Sequence, residues 1–331
     1  MKQYTSLYFV GAGGIGMSAL VRYFLAKGYK VAGYDRTQSP LTTELKTEGL
    51  EIVYEESVES IPDYCRNPET TLVVYTPAIP ASHSGLVYFR EHGFRVVKRA
   101  ELLGLITQSS KGLCFAGTHG KTTTSSMAAH IFHESPIGCN AFLGGILRNY
   151  NSNLILSEQS PFTVIEADEY DRSFHWLHPY MAVVTATDPD HLDIYGTEEA
   201  YLESFAHFTS LIQPGGCLIM KKGIRLVPNV KEGVKIYTYS ARDGGDFHAG
   251  NIRIGDGTIV FDFVTPEGSV ADIELGVPVE INIENAVAAM AIAWLNGVSG
   301  DNLRRAMASS KCLKVPEDVV RYCPKRDPKP W

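Results

Sequence analysis

Two glycine-rich turns have the residue types and spacing that hold phosphate groups. The first, GAGGIG at 11–16, follows an apolar β-prone run at 5–10 and precedes residues with helical spacing. Glycines permit a tight turn, and the N-terminus of the following helix presents free N–H groups to an anion. Asp35 closes the second predicted strand, 19 residues after Gly16. The pattern predicts a diphosphate site, for a dinucleotide such as NAD or for a nucleotide sugar.

The second turn, GTHGKTTT at 117–124, lies between a predicted strand at 113–116 and a predicted helix at 121–132. A strict Walker A motif needs glycine where Phe115 stands, so this is a shortened variant. Its backbone N–H groups suit phosphates, Lys121 suits the β- and γ-phosphates, and the Thr122 hydroxyl suits Mg²⁺. The predicted nucleotide-binding residues are Gly117, Thr118, His119, Gly120, Lys121, Thr122 and Thr123.

Acidic residues follow two further predicted strands. The run EADEYD at 166–171 follows a strand predicted at 163–166, and DPDHLD at 188–193 follows one predicted at 181–185. Because the carboxyl ends of parallel strands meet at one crevice, Glu166 and Thr122 are expected to share a magnesium ion. His191, within the second run, is open to two interpretations, a ligand of a second metal ion or a structural histidine.

Strand and helix patterns alternate along the chain, which predicts an α/β fold built on parallel sheets. An N-terminal Rossmann-like sheet is expected in residues 1–107, followed by a linker at 108–112. The pattern then restarts, so a second α/β domain that contains the P-loop is expected over 108–308, with antiparallel β-hairpins added between 247 and 279. Residues 309–331 have no strand or helix period and predict an irregular tail.

Composition excludes several classes of protein. The 331 residues are 44% hydrophobic, with a formal net charge of −7, which argues against a nucleic-acid-binding role. The six cysteines are scattered and suggest neither a zinc site nor a disulfide framework. No apolar stretch approaches the roughly 18 residues of a membrane helix. We expect a cytoplasmic monomer or homodimer with no stable membrane association.

Six segments, taken together and in order, resemble the Mur ligases of bacterial peptidoglycan synthesis. They are GAGGIGMS at 11–18, YTPAIP at 75–80, GTHGKTTT at 117–124, EADEYDRSF at 166–174, DPDHLDIYG at 188–196 and INIENAVAA at 281–289. The resemblance covers residues 5 to 308 and is closest to the branch of the family that adds L-alanine. It implies a three-domain ligase with an N-terminal Rossmann-like domain for UDP, a central P-loop ATPase domain and a C-terminal domain. Such a ligase joins L-alanine to UDP-N-acetylmuramate with ATP, through an acyl phosphate.

The resemblance also implies roles for individual residues. Lys121, Glu166 and His191 would be catalytic, with Thr122, Glu166 and His191 holding Mg²⁺. Asn282 and Asn285 would lie near the adenine of ATP. The residues implied for the UDP-sugar are Gly11, Gly13, Gly14, Gly16, Asp35, Thr76, Pro77 and Ala78.

After Ala308 the sequence departs from the family pattern, which would continue through an arginine-rich hinge into a C-terminal domain. We therefore expect a truncated or frame-shifted chain with weak or no ligase activity. Three alternatives remain open at this stage. They are a ligase that adds a recycled tripeptide to the same sugar, an NAD-dependent oxidoreductase, and a non-catalytic nucleotide-sugar-binding protein.

Overall fold

The structure is a computed structural model that describes residues 3–311 and the backbone of residues 313 and 314. The first sheet consists of β1 (Ser6–Val10), β2 (Lys30–Tyr34), β3 (Glu51–Val53), β4 (Thr71–Tyr75) and β5 (Arg95–Lys98). All its strands are parallel, in the order β3-β2-β1-β4-β5. This order places β1 at the centre, and the chain that leaves β1 enters the first glycine-rich turn.

Helices cover both faces of this sheet. They are α1 (Ile15–Ala26), α2 (Pro40–Thr47), α3 (Ser84–Glu91) and α4 (Arg99–Gln108). Alternate residues of β1 point to opposite faces, as the strand period requires. Leu7 and Phe9 are buried in the same apolar cluster as Phe24 of α1, whereas Tyr8 is buried with Phe89 of α3. Burial of both strand faces explains why β1 is continuously apolar.

The second sheet is larger and mixed. Its strands are β6 (Lys111–Ala116), β7 (Asn140–Leu147), β8 (Ser152–Ile155), β9 (Phe162–Glu166), β10 (Pro179–Val184), β11 (Cys217–Lys221), β12 (Lys235–Ser240), β13 (Phe247–Gly255), β14 (Thr258–Thr265), β15 (Gly268–Glu274) and β16 (Leu313–Lys314). The order is β15-β14-β13-β12-β11-β10-β6-β9-β7-β16, and β8 pairs with β7. Pairing is parallel from β7 to β13 and antiparallel at β14, β15, β8 and β16. The expected α/β fold, with antiparallel hairpins added to a parallel sheet, is confirmed.

The helices of this second part are α5 (Lys121–His133), α6 (Leu192–Tyr195), α7 (Glu198–Ser210), α8 (Ile281–Leu295) and α9 (Gly300–Ser309). The apolar, alanine-rich α8 is buried in one cluster with α5 and with Phe115 of β6. Phe205 and Phe208 of α7 pack on the other face with Cys114. The central strand β6 is therefore enclosed on both sides, and its carboxyl end opens into the second turn.

Asn153 of β8 connects the two sheets through polar contacts. Its buried side chain donates hydrogen bonds to the Ile15 carbonyl oxygen at 2.5 Å and to Ser18 Oγ at 3.2 Å. It also accepts one from Arg22 Nη1 at 3.3 Å. All three partners lie on α1, so Asn153 fixes the start of α1 against the second sheet.

Several sequence predictions were wrong in detail. The segment 108–112 is not a linker, because Lys111 and Gly112 pair within β6 and residues 99–108 form α4. Strands β7, β8 and β12 and helix α9 were not predicted. Of the expected tail, Ser309 ends α9 and residues 313–314 pair with β7, while residues 312 and 315–331 lie outside the described part. No helix within the described residues is long and apolar enough to cross a membrane.

Replacement of Asn153 by alanine should lower the free energy of unfolding by roughly 2–3 kcal/mol, because it removes three hydrogen bonds between β8 and α1, each of which contributes about 0.5–1.5 kcal/mol. Urea denaturation measures this change. Asn229→Ala is the control, since Asn229 is exposed and should change stability by no more than about 0.5 kcal/mol. Equal losses in the two variants would contradict the role of Asn153.

Candidate active site

The first glycine-rich turn connects β1 to α1 and is shaped by close contacts. Gly11 has φ +90°, and a Cβ there would lie 2.6 Å from Thr76 Cγ2. A Cβ on Gly13 would lie 2.5 Å from Thr42 Cγ2. The Gly13 N–H donates a hydrogen bond to Asp35 Oδ2 at 2.7 Å. Asp35 therefore braces the back of the turn, which leaves the α1 N-terminus facing outward.

A cavity of about 450 Å³ lies in front of this turn. Gly14, Gly16, Thr76, Pro77 and Ala78 line it, so the structure brings these predicted residues together. Gly11, Gly13 and Asp35 are not among its lining residues. They shape the turn from behind.

Two cations that sequence reasoning missed, Lys98 and Arg99, also line the cavity, and a Cβ on Gly16 would lie 2.2 Å from Arg99 Nη1. Lys98 Nζ lies 2.8 Å from Asp171 Oδ2, and Arg99 Nη2 lies 3.6 Å from Asp168 Oδ2. The hydrogen bond to Asp171 raises the pKa of Lys98. The available signal was a basic pair at the carboxyl end of β5, the edge where parallel sheets bind ligands. Both cations face a cavity suited to a diphosphate.

The second turn connects β6 to α5 and has the backbone shape of a phosphate cradle. Gly117 has φ +138° and Gly120 has φ +83°, and a Cβ on Gly117 would lie 2.2 Å from Thr185 Oγ1. Thr185 Oγ1 donates a hydrogen bond to the His119 carbonyl oxygen at 2.5 Å, and Thr118 Oγ1 donates one to the Asp188 carbonyl oxygen at 2.7 Å. These bonds fix the turn on the end of β10. Lys121 and Thr122 follow as the first residues of α5.

Thr122 and Glu166 are in direct contact. Thr122 Oγ1 donates a hydrogen bond to Glu166 Oε1 at 2.8 Å, and the Gly144 N–H donates one to Glu166 Oε2 at 3.2 Å. Burial raises the pKa of Glu166, although the bond from Thr122 opposes this shift. A hydroxyl and a carboxylate are oxygen donors of the kind that Mg²⁺ prefers. No cluster of three or more histidine, cysteine or acidic residues suited to a metal occurs in the described part of the chain.

Lys121 makes a buried ion pair with Glu169, a contact that the sequence did not reveal. Lys121 Nζ donates hydrogen bonds to the Gly117 carbonyl oxygen at 2.6 Å and to Glu169 Oε1 at 2.8 Å. The side chains of Lys121 and Glu169 are 14% and 2% exposed. The lysine is therefore fixed at the mouth of the turn by an acidic neighbour three residues beyond Glu166.

His191, Asn282 and Asn285 differ in their contacts with the residues of the second turn and α5. His191 has φ 52°, and its ring lies edge-on to Tyr170 at 5.2 Å. Among the described residues its ion-pair partner is Asp190, at 3.8 Å, whereas Glu166 accepts its hydrogen bonds from Thr122 and Gly144. Asn285, by contrast, accepts a hydrogen bond from Thr124 Oγ1 at 3.2 Å and donates one to Asn282 Oδ1 at 3.1 Å. The asparagine pair thus adjoins the P-loop helix.

The acidic segment after β9 contains two non-glycine residues with left-handed backbone. Asp171 has φ 50° and Arg172 has φ 54°. Such conformations are unfavourable, and they persist where surrounding contacts hold them. Asp171 pairs with Lys98, and the Arg172 guanidinium lies 4.8 Å from the centre of the Tyr195 ring. The two residues with unfavourable backbone conformations therefore lie where the segment after β9 contacts the first sheet.

Comparison with known proteins gives consistent matches along the chain. The model of the Mur ligase family, catalytic domain, matches residues 6–111, and that of the Mur ligase middle domain matches residues 115–293. The UDP-N-acetylmuramate--L-alanine ligase of Parabacteroides distasonis is 66% identical over 309 residues, which are 93% of this chain and 67% of that protein. The enzyme of the same name from Phocaeicola vulgatus is 65% identical, over 92% of this chain and 66% of that protein. The chain spans about two thirds of the length of these curated relatives.

Solved structures share the fold. The UDP-N-acetylmuramate-alanine ligase of Thermotoga maritima has a TM-score of 0.78 at 23% identity, over 93% of this chain and 69% of that chain. A UDP-N-acetylmuramate:L-alanyl-gamma-D-glutamyl-meso-diaminopimelate ligase from Neisseria meningitides has a TM-score of 0.81 at 21% identity, over 94% of this chain and 100% of that chain. The family expected from the six motifs is confirmed: the chain belongs to the Mur ligase family.

Proposed function

We propose that the chain binds UDP-N-acetylmuramate and ATP and acts in the ATP-dependent joining of L-alanine to that sugar nucleotide. The adjacency of the two turns carries this proposal. A smaller cavity, of about 120 Å³, is lined by Gly16 and Arg99 from the first site and by Gly144 and Glu166 from the second. A carboxylate on a nucleotide sugar bound at the first turn would therefore lie beside the phosphates at the second.

The reaction needs the carboxylate to be activated, because a carboxylate ion is a poor acyl donor. Transfer of the γ-phosphoryl group of ATP to the carboxylate oxygen gives an acyl phosphate and ADP. The amine of L-alanine then attacks the acyl carbon, an amide forms, and phosphate leaves with the former carboxylate oxygen. Lys121 would stabilise charge on the transferring phosphoryl group, and Arg99 is placed to orient the sugar nucleotide.

The residues present fit a magnesium ion at the second turn. Thr122 Oγ1 and Glu166 Oε1 are 2.8 Å apart and face the same crevice. With phosphate oxygens and water they would supply the oxygen ligands that Mg²⁺ requires. A bound Mg²⁺ would neutralise phosphate charge. We include His191 as a ligand of a second ion and Asn282 and Asn285 as neighbours of the adenine.

The proposal also assigns each substrate to one domain of the chain. Residues 1–107 would bind the UDP-sugar and residues 108–308 would bind ATP. The L-alanine specificity is inferred from the names of relatives of which this chain covers about two thirds.

Substrate dependence tests the proposed reaction. Phosphate release by the purified chain should require UDP-N-acetylmuramate, ATP, Mg²⁺ and L-alanine together. Calorimetric titration should show UDP-N-acetylmuramate binding even where turnover is weak. Release that requires the recycled tripeptide instead of L-alanine would identify the other ligase reaction. Absence of sugar-nucleotide binding would contradict the proposal.

Lys121→Met should weaken binding of a non-hydrolysable ATP analogue by roughly tenfold or more, because it removes a charged hydrogen-bond donor. Affinity for UDP-N-acetylmuramate should stay within about twofold, since Lys121 does not line the cavity at the first turn. Thermal unfolding must accompany the titration because the variant leaves Glu169 buried without its cation. Lys111→Met, at the opposite end of β6, is the matched control and should bind both ligands normally. A parallel loss of both ligands in Lys121→Met would argue for a folding defect.

Gly11→Ala should weaken UDP-N-acetylmuramate binding by roughly tenfold while leaving ATP-analogue binding unchanged, because the new Cβ would push Thr76 out of the cavity wall. The control is Gly28→Ala. Gly28 also has a positive φ, +81°, but nothing lies within 4 Å of the position that a Cβ would take there. Backbone strain is thus common to both variants, whereas crowding affects Gly11 alone. Equal loss of sugar-nucleotide affinity in both would contradict the assigned site.

A further inference from the structure

Glu169 is an acidic residue whose charge is neutralised at the P-loop. Both of its carboxylate oxygens lie close to Lys121 Nζ, Oε1 at 2.8 Å and Oε2 at 2.7 Å. Its side chain is 2% exposed, so water contributes little to its stabilisation. The buried carboxylate is therefore stabilised mainly by a protein cation, Lys121.

No second cation pairs with Glu169 among the described residues. Oε1 accepts its hydrogen bond from Lys121, and Oε2 is fully buried without a well-aligned hydrogen-bond donor. The backbone carbonyl oxygen of Glu169 accepts hydrogen bonds from the Tyr195 hydroxyl at 2.5 Å and from the Arg172 N–H at 3.0 Å, and neither bond reaches the carboxylate. The charge of Glu169 is thus balanced by Lys121, the residue that phosphate is expected to engage.

We propose that Glu169 sets the phosphate affinity of the nucleotide site, because a phosphate that engages Lys121 must displace it from the Glu169 carboxylate. The inference rests on the proposed ATP site. Glu169 acts through Lys121 and is a positioning residue. Nucleotide binding exchanges one ion pair, Lys121 with Glu169, for another, Lys121 with phosphate.

This exchange has a selective consequence. A P-loop lysine contacts the β- and γ-phosphates. Only ligands that carry these phosphates therefore have to break the ion pair between Lys121 and Glu169. AMP lacks both groups. Removal of the Glu169 charge should therefore tighten ATP and ADP binding and leave AMP binding unchanged, whereas general damage to the site would weaken all three.

The test is a titration of a non-hydrolysable ATP analogue, ADP and AMP at one fixed Mg²⁺ concentration. Glu169→Gln keeps the side-chain shape and removes the charge, and should tighten the analogue and ADP by roughly tenfold or more, the value of a charged hydrogen bond. Glu169→Asp retracts the carboxylate by one methylene and should give a smaller gain. Asp171→Asn removes the same charge from the same acidic segment at the Lys98 contact and should leave all three affinities within about twofold.

Unchanged or weaker analogue binding by Glu169→Gln, with a thermal unfolding midpoint near that of the parent chain, would overturn the inference about Glu169 and leave the proposed ATP site in place. If that variant does not fold, Glu169→Asp decides by the same criterion. An equal gain in Asp171→Asn would also overturn it, because the effect would then be general electrostatics. A parent chain that binds none of the three nucleotides would overturn the proposed ATP site and this inference together.

Discussion

The carboxylates at the end of β9 and just after it contact residues beside both glycine-rich turns. Glu166 accepts a hydrogen bond from Thr122, and Glu169 pairs with Lys121, both at the start of α5. Asp168 and Asp171 instead reach Arg99 and Lys98, beside the first sheet. One short segment thus contacts both sites, because β9 lies next to β6 and ends at the same edge of the sheet.

This placement makes phosphate chemistry possible with few residues. The cavity at the first turn shares Gly16, Arg99 and Asp168 with a smaller cavity that Glu166 also lines, and Glu166 contacts Thr122 at the start of α5. Anionic groups of two substrates can approach there because basic residues and backbone N–H groups offset their mutual repulsion. The acidic segment sets the position of those basic residues, so its geometry decides how closely the two substrates approach.

Local rules predicted much of the site. A glycine turn between a strand and a helix specifies the backbone shape within a few residues. In the structure, Gly14 and Gly16 line one cavity, and Thr122 contacts Glu166. Lys98 and Glu169 escaped prediction because their partners are distant in the chain, 73 and 48 residues away. Strand β7 was missed because Gly144 and Gly145 interrupt its apolar pattern. Its strand conformation is stabilised by pairing with β9, which is distant in the sequence pattern. The segment at 108–112 resembled a linker, yet Lys111 and Gly112 are held by neighbouring strands.

The Lys121–Glu169 pair also bears on how relatives of this chain can diverge. A cation and an anion that are both enclosed, and that neutralise each other, cannot be lost independently without leaving a bare charge in the interior. A descendant that gives up the lysine would need a neutral residue at position 169 as well. Co-variation of positions 121 and 169 would therefore mark members of such a lineage that have abandoned phosphoryl transfer but kept the fold.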